Sequence, residues 1–217
     1  MKTKKAIIIA MTATLLFAAC NHETDISKGE NVVYEENFDG NSGWMYLKDE
    51  ANYIVSEAGG KLIQKRTESD GNYYYAYAKK QFTGNEKKQI LEFTFRLTAG
   101  TGSVVVVLNA DKIKETSFYL TENHYFKINR YNATTNTLKE ITEWTESSLI
   151  NITQTSILRI ELENGIVNFI MNGKKLYQWN DSDITNLDYF GLGLTMWENS
   201  SPSTLELDKV CAFEINK

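Results

Sequence analysis

Aromatic rings and carboxylates on alternating segments are the side chains of this sequence that could do chemistry. Tyr73, Tyr75 and Tyr77 fall at every second position. Successive side chains of a strand point to opposite faces, so the three form one row. Sugars present apolar C–H faces that pack on such rings while their hydroxyls meet nearby polar groups, which makes the row a candidate glycan platform. Trp44, Trp144 and Trp197, each close to polar loop residues, are candidate carbohydrate-binding rings of the same kind. Carboxylates gather at Glu140, Glu143 and Glu146, and again at Glu206 and Asp208. Glycoside cleavage with retention needs two carboxyl groups ~5–5.5 Å apart, and alternate residues on one strand face can supply that separation. Charges that alternate with apolar residues also mark an ordinary solvated face, the simpler reading of both groups. The histidines, His22 and His124, lie far apart in the chain and do not suggest a zinc site. There is no Gly-x-Ser-x-Gly elbow, phosphate loop or cysteine-ligated metal pattern.

The elements that must position these residues are strands. In Ser156–Trp179, Leu158, Ile160 and Leu162 alternate with Arg159, Glu161 and Glu163. Asn164-Gly165 and Asn172-Gly173 supply the positive-φ pairs of type I′ turns, so Val167, Phe169 and Met171 return antiparallel and Lys174–Trp179 follows as a third strand. Further strands are expected at Val32–Phe38, Tyr53–Glu57, Lys61–Thr67, Asn72–Phe82, Ile90–Leu97, Val104–Leu108, Phe118–Leu120 and His124–Tyr131. Phe190–Met196 and Leu205–Ile215 close the domain, and Thr137–Ser147 has no clear period. Val104–Leu108 is apolar throughout, as a short strand buried on both sides would be. Many short strands between Gly, Asn and Asp turns, with no amphipathic helix, mean an all-β sandwich.

The chain has 217 residues, a size that suits one such sandwich. Residues 1–19 join a basic start to an apolar run and end in small residues before Cys20, the pattern of a secretory signal. Leu16-Phe17-Ala18-Ala19-Cys20 resembles a bacterial lipobox, which implies cleavage before Cys20 and a lipid on its thiol. Stable anchoring follows from ~0.8 kcal/mol per buried methylene once more than one chain is attached. Residues 20–31 are polar and without period, a tether, and the domain is expected over 32–217. Loss of Lys2, Lys4 and Lys5 leaves 20 of the 23 basic residues against 28 acidic ones, a balance of −8. Nucleic acid is a poor partner for so acidic a protein. Cys211 shares a face with Leu207, Phe213 and Ile215 and is expected as a buried thiol.

The order of NFDGNSGW, GNYYYAY, LEFTFRL, LRIELENGIVNFIMNGKKL and LELDKVCAFEI along Val32–Ile215 resembles the concanavalin A-like lectin/glucanase jelly rolls of bacterial surface lipoproteins. That resemblance implies two curved antiparallel sheets, a concave face that often binds glycans, and a place on the Gram-negative outer membrane or cell surface. Laminarinase-like glycosidases of this fold carry a Glu-x-Asp-x-Glu strand. Glu140–Glu146 has Thr142 where Asp should stand, and Glu206-Leu207-Asp208 is followed by Val210 where the second Glu belongs. No complete catalytic set is present. Because terminal strands are often neighbours in this fold, Asp39 and Asp208 could together hold a structural calcium. The sequence thus points to a lipid-anchored, non-catalytic carbohydrate-binding module. The alternatives are a glycoside-cleaving enzyme, laminarinase-like or similar to the keto-disaccharide hydrolases, and an adhesion or structural protein with a protein partner.

Overall fold

The computed structural model describes residues 29–46, 52–84, 86–109, 114–180, 183–197 and 201–216. Its strands, numbered in chain order, are β1 (Glu30–Glu36), β2 (Met45–Tyr46), β3 (Tyr53–Glu57), β4 (Leu62–Arg66), β5 (Tyr73–Lys79), β6 (Glu86–Ala99), β7 (Gly102–Leu108) and β8 (Lys114–Thr121). There follow β9 (Tyr125–Asn132), β10 (Thr137–Glu140), β11 (Thr145–Glu146), β12 (Ser156–Glu163), β13 (Ile166–Met171), β14 (Lys174–Asn180), β15 (Tyr189–Met196) and β16 (Ser203–Asn216). No helix occurs among the described residues.

Two antiparallel sheets of eight strands form the sandwich. The first runs β14-β13-β12-β6-β16-β4-β3, with β1 also on β16; the second runs β10-β9-β8-β7-β15-β5-β2, with β11 also on β9. The β12–β14 meander has the expected register, Leu158 opposite Met171 and Leu162 opposite Val167. Its turns take the left-handed conformation at Asn164 (φ 52°), Gly165 (75°), Asn172 (48°) and Gly173 (78°). β1 begins at Glu30, inside the segment read from sequence as tether, because it pairs with β16 from Glu30 opposite Ile215.

Alternation delivers Leu91, Phe93, Phe95, Leu158, Ile160 and Leu207 of the first sheet against Val104, Val106, Phe118, Phe190 and Leu192 of the second. Across the layers Phe118 stacks on Phe169 with ring centroids 4.2 Å apart, and Phe93 meets Phe190 edge-on at 6.0 Å. Fully burying one such side chain is worth ~1.5–3 kcal/mol. At one end the core is polar. Gln64 Nε2 donates to Leu192 O at 3.0 Å, Tyr53 Oη donates to Gln64 Oε1 at 2.7 Å, and the buried Arg66 lies 4.3 Å under the Tyr74 ring. Arg66 also donates to Asp70 Oδ1 at 2.9 Å. Burial alone would raise the Asp70 carboxyl, but hydrogen bonds from Asn72 N–H, Tyr74, Arg66 and Asn52 outweigh it and hold that group far below the usual carboxylate range. This hub fixes the loop that feeds β5.

Cys211 is buried with Ile90 and Phe213 on the outer side of the first sheet, but it stands in a disulfide and not as the free thiol the sequence suggested. Cys20, His22 and the signal segment lie outside the described residues.

Candidate glycan-binding site

The outer face of the second sheet is built on an unusual centre. In β15 the inward residues are Phe190, Leu192 and Leu194, and Gly191 and Gly193 face out. Register places Tyr75 beside Gly193, then Val105, Tyr119 and Lys127 across the sheet, and Tyr77 beside Gly191, then Val107, Ser117 and Asn129. A Cβ on Gly193 would lie 1.9 Å from Tyr74 O and 2.6 Å from Tyr75 Cβ, so neighbouring β5 approaches too closely for any side chain there. Bare glycine leaves a trough, and the half-buried Tyr73, Tyr75, Tyr77, Tyr119 and Tyr189 pack over Val105 and Val107. That cover explains why β7 is buried on both sides.

The rings join into a belt. Tyr77 meets Tyr75 at 5.9 Å, Tyr75 stacks on Tyr73 at 6.0 Å, and Tyr73 meets Tyr119 edge-on at 5.8 Å. Tyr119 meets Trp144 at 6.2 Å, and Trp144 meets Trp197 at 6.1 Å. The two tryptophans are 42% and 37% exposed, so the belt opens to solvent at that end. Lys127 Nζ stands 5.8 Å from the Trp144 ring.

Beneath the tyrosines lies Glu115 of β8, 9% exposed. Tyr73 Oη donates to its Oε1 and Tyr75 Oη to its Oε2 at 2.7 Å, while Ser117 Oγ donates to Tyr73 Oη at 3.1 Å. Burial pushes the Tyr73 phenol well above its ordinary value, and the Glu115 charge and hydrogen bond push it further. Burial likewise pushes Tyr119 up to about 12, offset in part by a hydrogen bond with Ser117. Both phenols are therefore neutral hydrogen-bond donors across the physiological range.

All the sequence-derived ring candidates except Trp44 meet in this belt. Trp44 is a core residue, 5% exposed, packed edge-on against Phe38 and Phe190, with Nε1 donating to Tyr34 Oη at 2.9 Å. It precedes a strand of two residues, too short for alternation to show which way a side chain points. Of the carboxylates seen in the sequence, Glu206 and Asp208 belong to the first sheet, and Glu140 reaches the Trp144 end of the belt through Lys127. Glu206 and Asp208 pair with Lys61, Glu140 pairs with Lys127 from the edge strand β10, and Glu143 and Glu146 are exposed. Of the two candidate calcium ligands, Asp208 has the Lys61 ammonium 3.2 Å from its Oδ1. No group of three or more His, Cys, Asp or Glu able to hold a metal occurs among the described residues.

Glu115 went unread in the sequence. The strand expected at Phe118–Leu120 begins at Lys114, and its first turn of alternation is masked because the inward Thr116 is as polar as the outward Glu115 and Ser117. On β8 the outward residues at two-residue spacing are Glu115, Ser117 and Tyr119: one carboxylate, a hydroxyl and a phenol.

No family model matches the chain, and no curated protein matches it. Solved structures do. A non-specific endo-β-1,3(4)-glucanase of family GH16 superposes with a TM-score of 0.58 at 12% identity, covering 88% of this chain and 93% of that one. The fold is the concanavalin A-like jelly roll. A laminarinase from Flavobacterium sp. UMI-01 matches with a TM-score of 0.57 at 15% identity, over 85% of this jelly roll and 100% of its own chain. The CBM2 module of the evolved Dit of Lactobacillus casei BL23 phage J-1 matches with a TM-score of 0.59 at 9% identity, over 87% and 97%.

Proposed function

We propose that this jelly roll is a glycan-recognition protein that lays a polysaccharide along the belt from Tyr77 to Trp197. The observation that carries the reading is the continuity of the six rings on one outer face, half-buried at the tyrosines and open at Trp144 and Trp197. Rings already packed against one another lose little freedom when a sugar stacks on them. The phenol and serine hydroxyls around Glu115 supply polar contacts for sugar hydroxyls.

A second reading, glycoside cleavage, is favoured by Glu115 itself and by glucanases among the structural neighbours. Against it stands the chemistry of retention, which needs two carboxyl groups; the neighbours of Glu115 on its strand face are Ser117 and Tyr119. Affinity electrophoresis in laminarin, lichenan and mucin-type glycans, run beside a reducing-sugar assay, separates the readings. Recognition predicts retardation that is lost in Tyr75→Ala and Trp144→Ala, with no new reducing ends. Release of reducing ends that disappears in Glu115→Gln would replace recognition by hydrolysis.

The leader and lipobox motif further support cleavage before Cys20 and anchoring through its lipid. Cys20→Ser is then expected to leave the membrane fraction with the domain still folded, and unchanged partitioning would reject the anchor. The chain has two cysteines, so a thioether at Cys20 and an intrachain disulfide at Cys211 exclude each other. The mass of the mature protein before and after alkylation under denaturing conditions reads directly which of the two it carries.

A further inference from the structure

A recess of about 630 Å³ lies away from the belt. It lies at the end of the sandwich, between the loop after β5 (Gln81–Gly84), the start of β6, the β12–β13 turn at Asn164-Gly165 and the loop before β15 (Ile184–Asp188). Its size falls in the range of small-ligand sites, ~300–1,000 Å³. The floor is apolar: Phe82, Leu162 and Ile184 are 6%, 6% and 1% exposed and belong to the main core. The walls carry carboxamides, hydroxyls and the charged side chains of Glu86, Lys87 and Asp188.

The frame is wired in place. Leu187 N–H donates to the buried Gln89 Oε1 at 2.7 Å, and Gln89 Nε2 donates to Glu86. Phe82 N–H donates to Asp188 Oδ1 at 3.1 Å, and Thr83 Oγ1 donates to Glu214 Oε2 at 3.1 Å. These bonds engage the carboxylates Glu86 and Asp188 internally, and Lys87 faces Glu163 at 3.3 Å. The partners of Glu86 and Asp188 are neutral donors, which hold the two carboxylates in place without cancelling their charge, so the rim of the recess stays acidic. Gln81 and Asn164 line it, and both are solvent-exposed.

We infer that this recess is a second saccharide site, which takes the uncharged end of a glycan, one or two sugar units, with a C–H face on Phe82 and Ile184 and hydroxyls on the carboxamides of Gln81 and Asn164. An anionic ligand meets the Glu86 and Asp188 carboxylates there, which can accept sugar hydroxyls instead, and a fully apolar one would strip water from the polar wall without replacing its hydrogen bonds. The inference stands on the recess alone and does not need the belt to bind.

The test is isotope-edited NMR of the full chain titrated with methyl glycosides of the common hexoses and N-acetylhexosamines and with cellobiose and lactose, to roughly ten times millimolar, the scale of weak sugar binding. The expected result is saturable shifts at residues 81–84 and 184–188 for at least one sugar, weakened about tenfold or more in Gln81→Ala combined with Asn164→Gly. Glycine keeps the left-handed turn that Asn164 occupies (φ 52°), so loss of binding cannot be laid to misfolding. Thr185→Trp, which narrows the mouth, is expected to abolish the same shifts. The inference is overturned if no sugar in the panel shifts these residues, if both variants bind as the parent does, or if Tyr75→Ala removes the shifts while the recess variants keep them.

Discussion

The two outer faces of this sandwich are made on sheets of the same size and sense, yet they are covered by opposite chemistry. On the first sheet the face is an ion-pair lattice beside the small apolar cluster of Ile90, Cys211 and Phe213. Arg159 reaches Glu30, Glu92 and Glu161, Lys88 reaches Glu161 and Glu163, Lys61 reaches Glu206 and Asp208, and Lys209 reaches Glu35. On the second sheet the centre is glycine under tyrosine, with one carboxylate held by phenols. Burial alone would raise Glu161 and lower Lys88, but Arg159 and Lys88 outweigh it at Glu161 and leave that carboxyl depressed, and Glu161 and Glu163 outweigh it at Lys88 and leave that ammonium raised. Charges so paired compete poorly for a ligand and keep a face wet. Packed rings hold no countercharge and lose little when water leaves them. The difference supports placing the proposed recognition on the second sheet rather than the first.

The sharpest way to break that contrast is at the glycine trough. Gly193→Ala puts a Cβ into the backbone of β5, and overpacking of this kind costs ~3 kcal/mol or more. The urea midpoint should fall accordingly, and near-ultraviolet dichroism of the tyrosines should change with it. A variant as stable as the parent would mean that β5 and β15 are not so close. Next comes Tyr75→Ala. Because Tyr75 is half-buried on Val105 and Val107, the loss should be below the ~3–5 kcal/mol of a core aromatic truncation, about 1–3 kcal/mol, with glycan retardation gone. A full core-sized loss would make the row structural and move the binding surface to Trp144 and Trp197.

A smaller effect is expected on the opposite face. Arg159→Gln leaves Glu30, Glu92 and Glu161 short of a cation and should cost ~1–2 kcal/mol, shrinking in high salt, with glycan binding unchanged. Altered binding in this variant would deny that the faces are independent.

The subtlest contrast is in pH. Glu161 is depressed in the folded state, so its stabilisation is present above the ordinary carboxylate value, ~4, and is lost as pH falls through the folded one. Tyr73 and Tyr119 are raised, so their neutral forms cost nothing below the ordinary phenol value, ~10, and stability falls as pH climbs from there towards the folded values. The ion-pair face should therefore govern the acid limb of a stability profile and the tyrosine face the alkaline limb. Arg159→Gln should flatten only the first and Tyr73→Phe only the second, as urea titrations across pH will show.

The sequence by itself determined the strands that alternate cleanly and the turns between them. Leu158–Glu163 and the Asn-Gly pairs specify a face and a reversal through local backbone and side-chain geometry alone, and the Tyr73-Tyr75-Tyr77 row was legible for the same reason. Alternation says which residues share a face and cannot say what covers it. That Trp144 and Trp197 join the tyrosines, whereas Trp44 enters the core, depends on where the loop before β2 and the segments after β10 and β15 come to rest. Glu115 was invisible because Thr116, though inward, is polar, and because its partners Tyr73 and Tyr75 are some forty residues away in sequence. The alternating Gly191 and Gly193 carried a signal of close strand approach, but only the pairing of β15 with β5 turned it into a trough. Side-chain direction is a local property of a strand, and the assembly of a site across five strands is a property of their order in the sheet, which the tertiary structure alone decides.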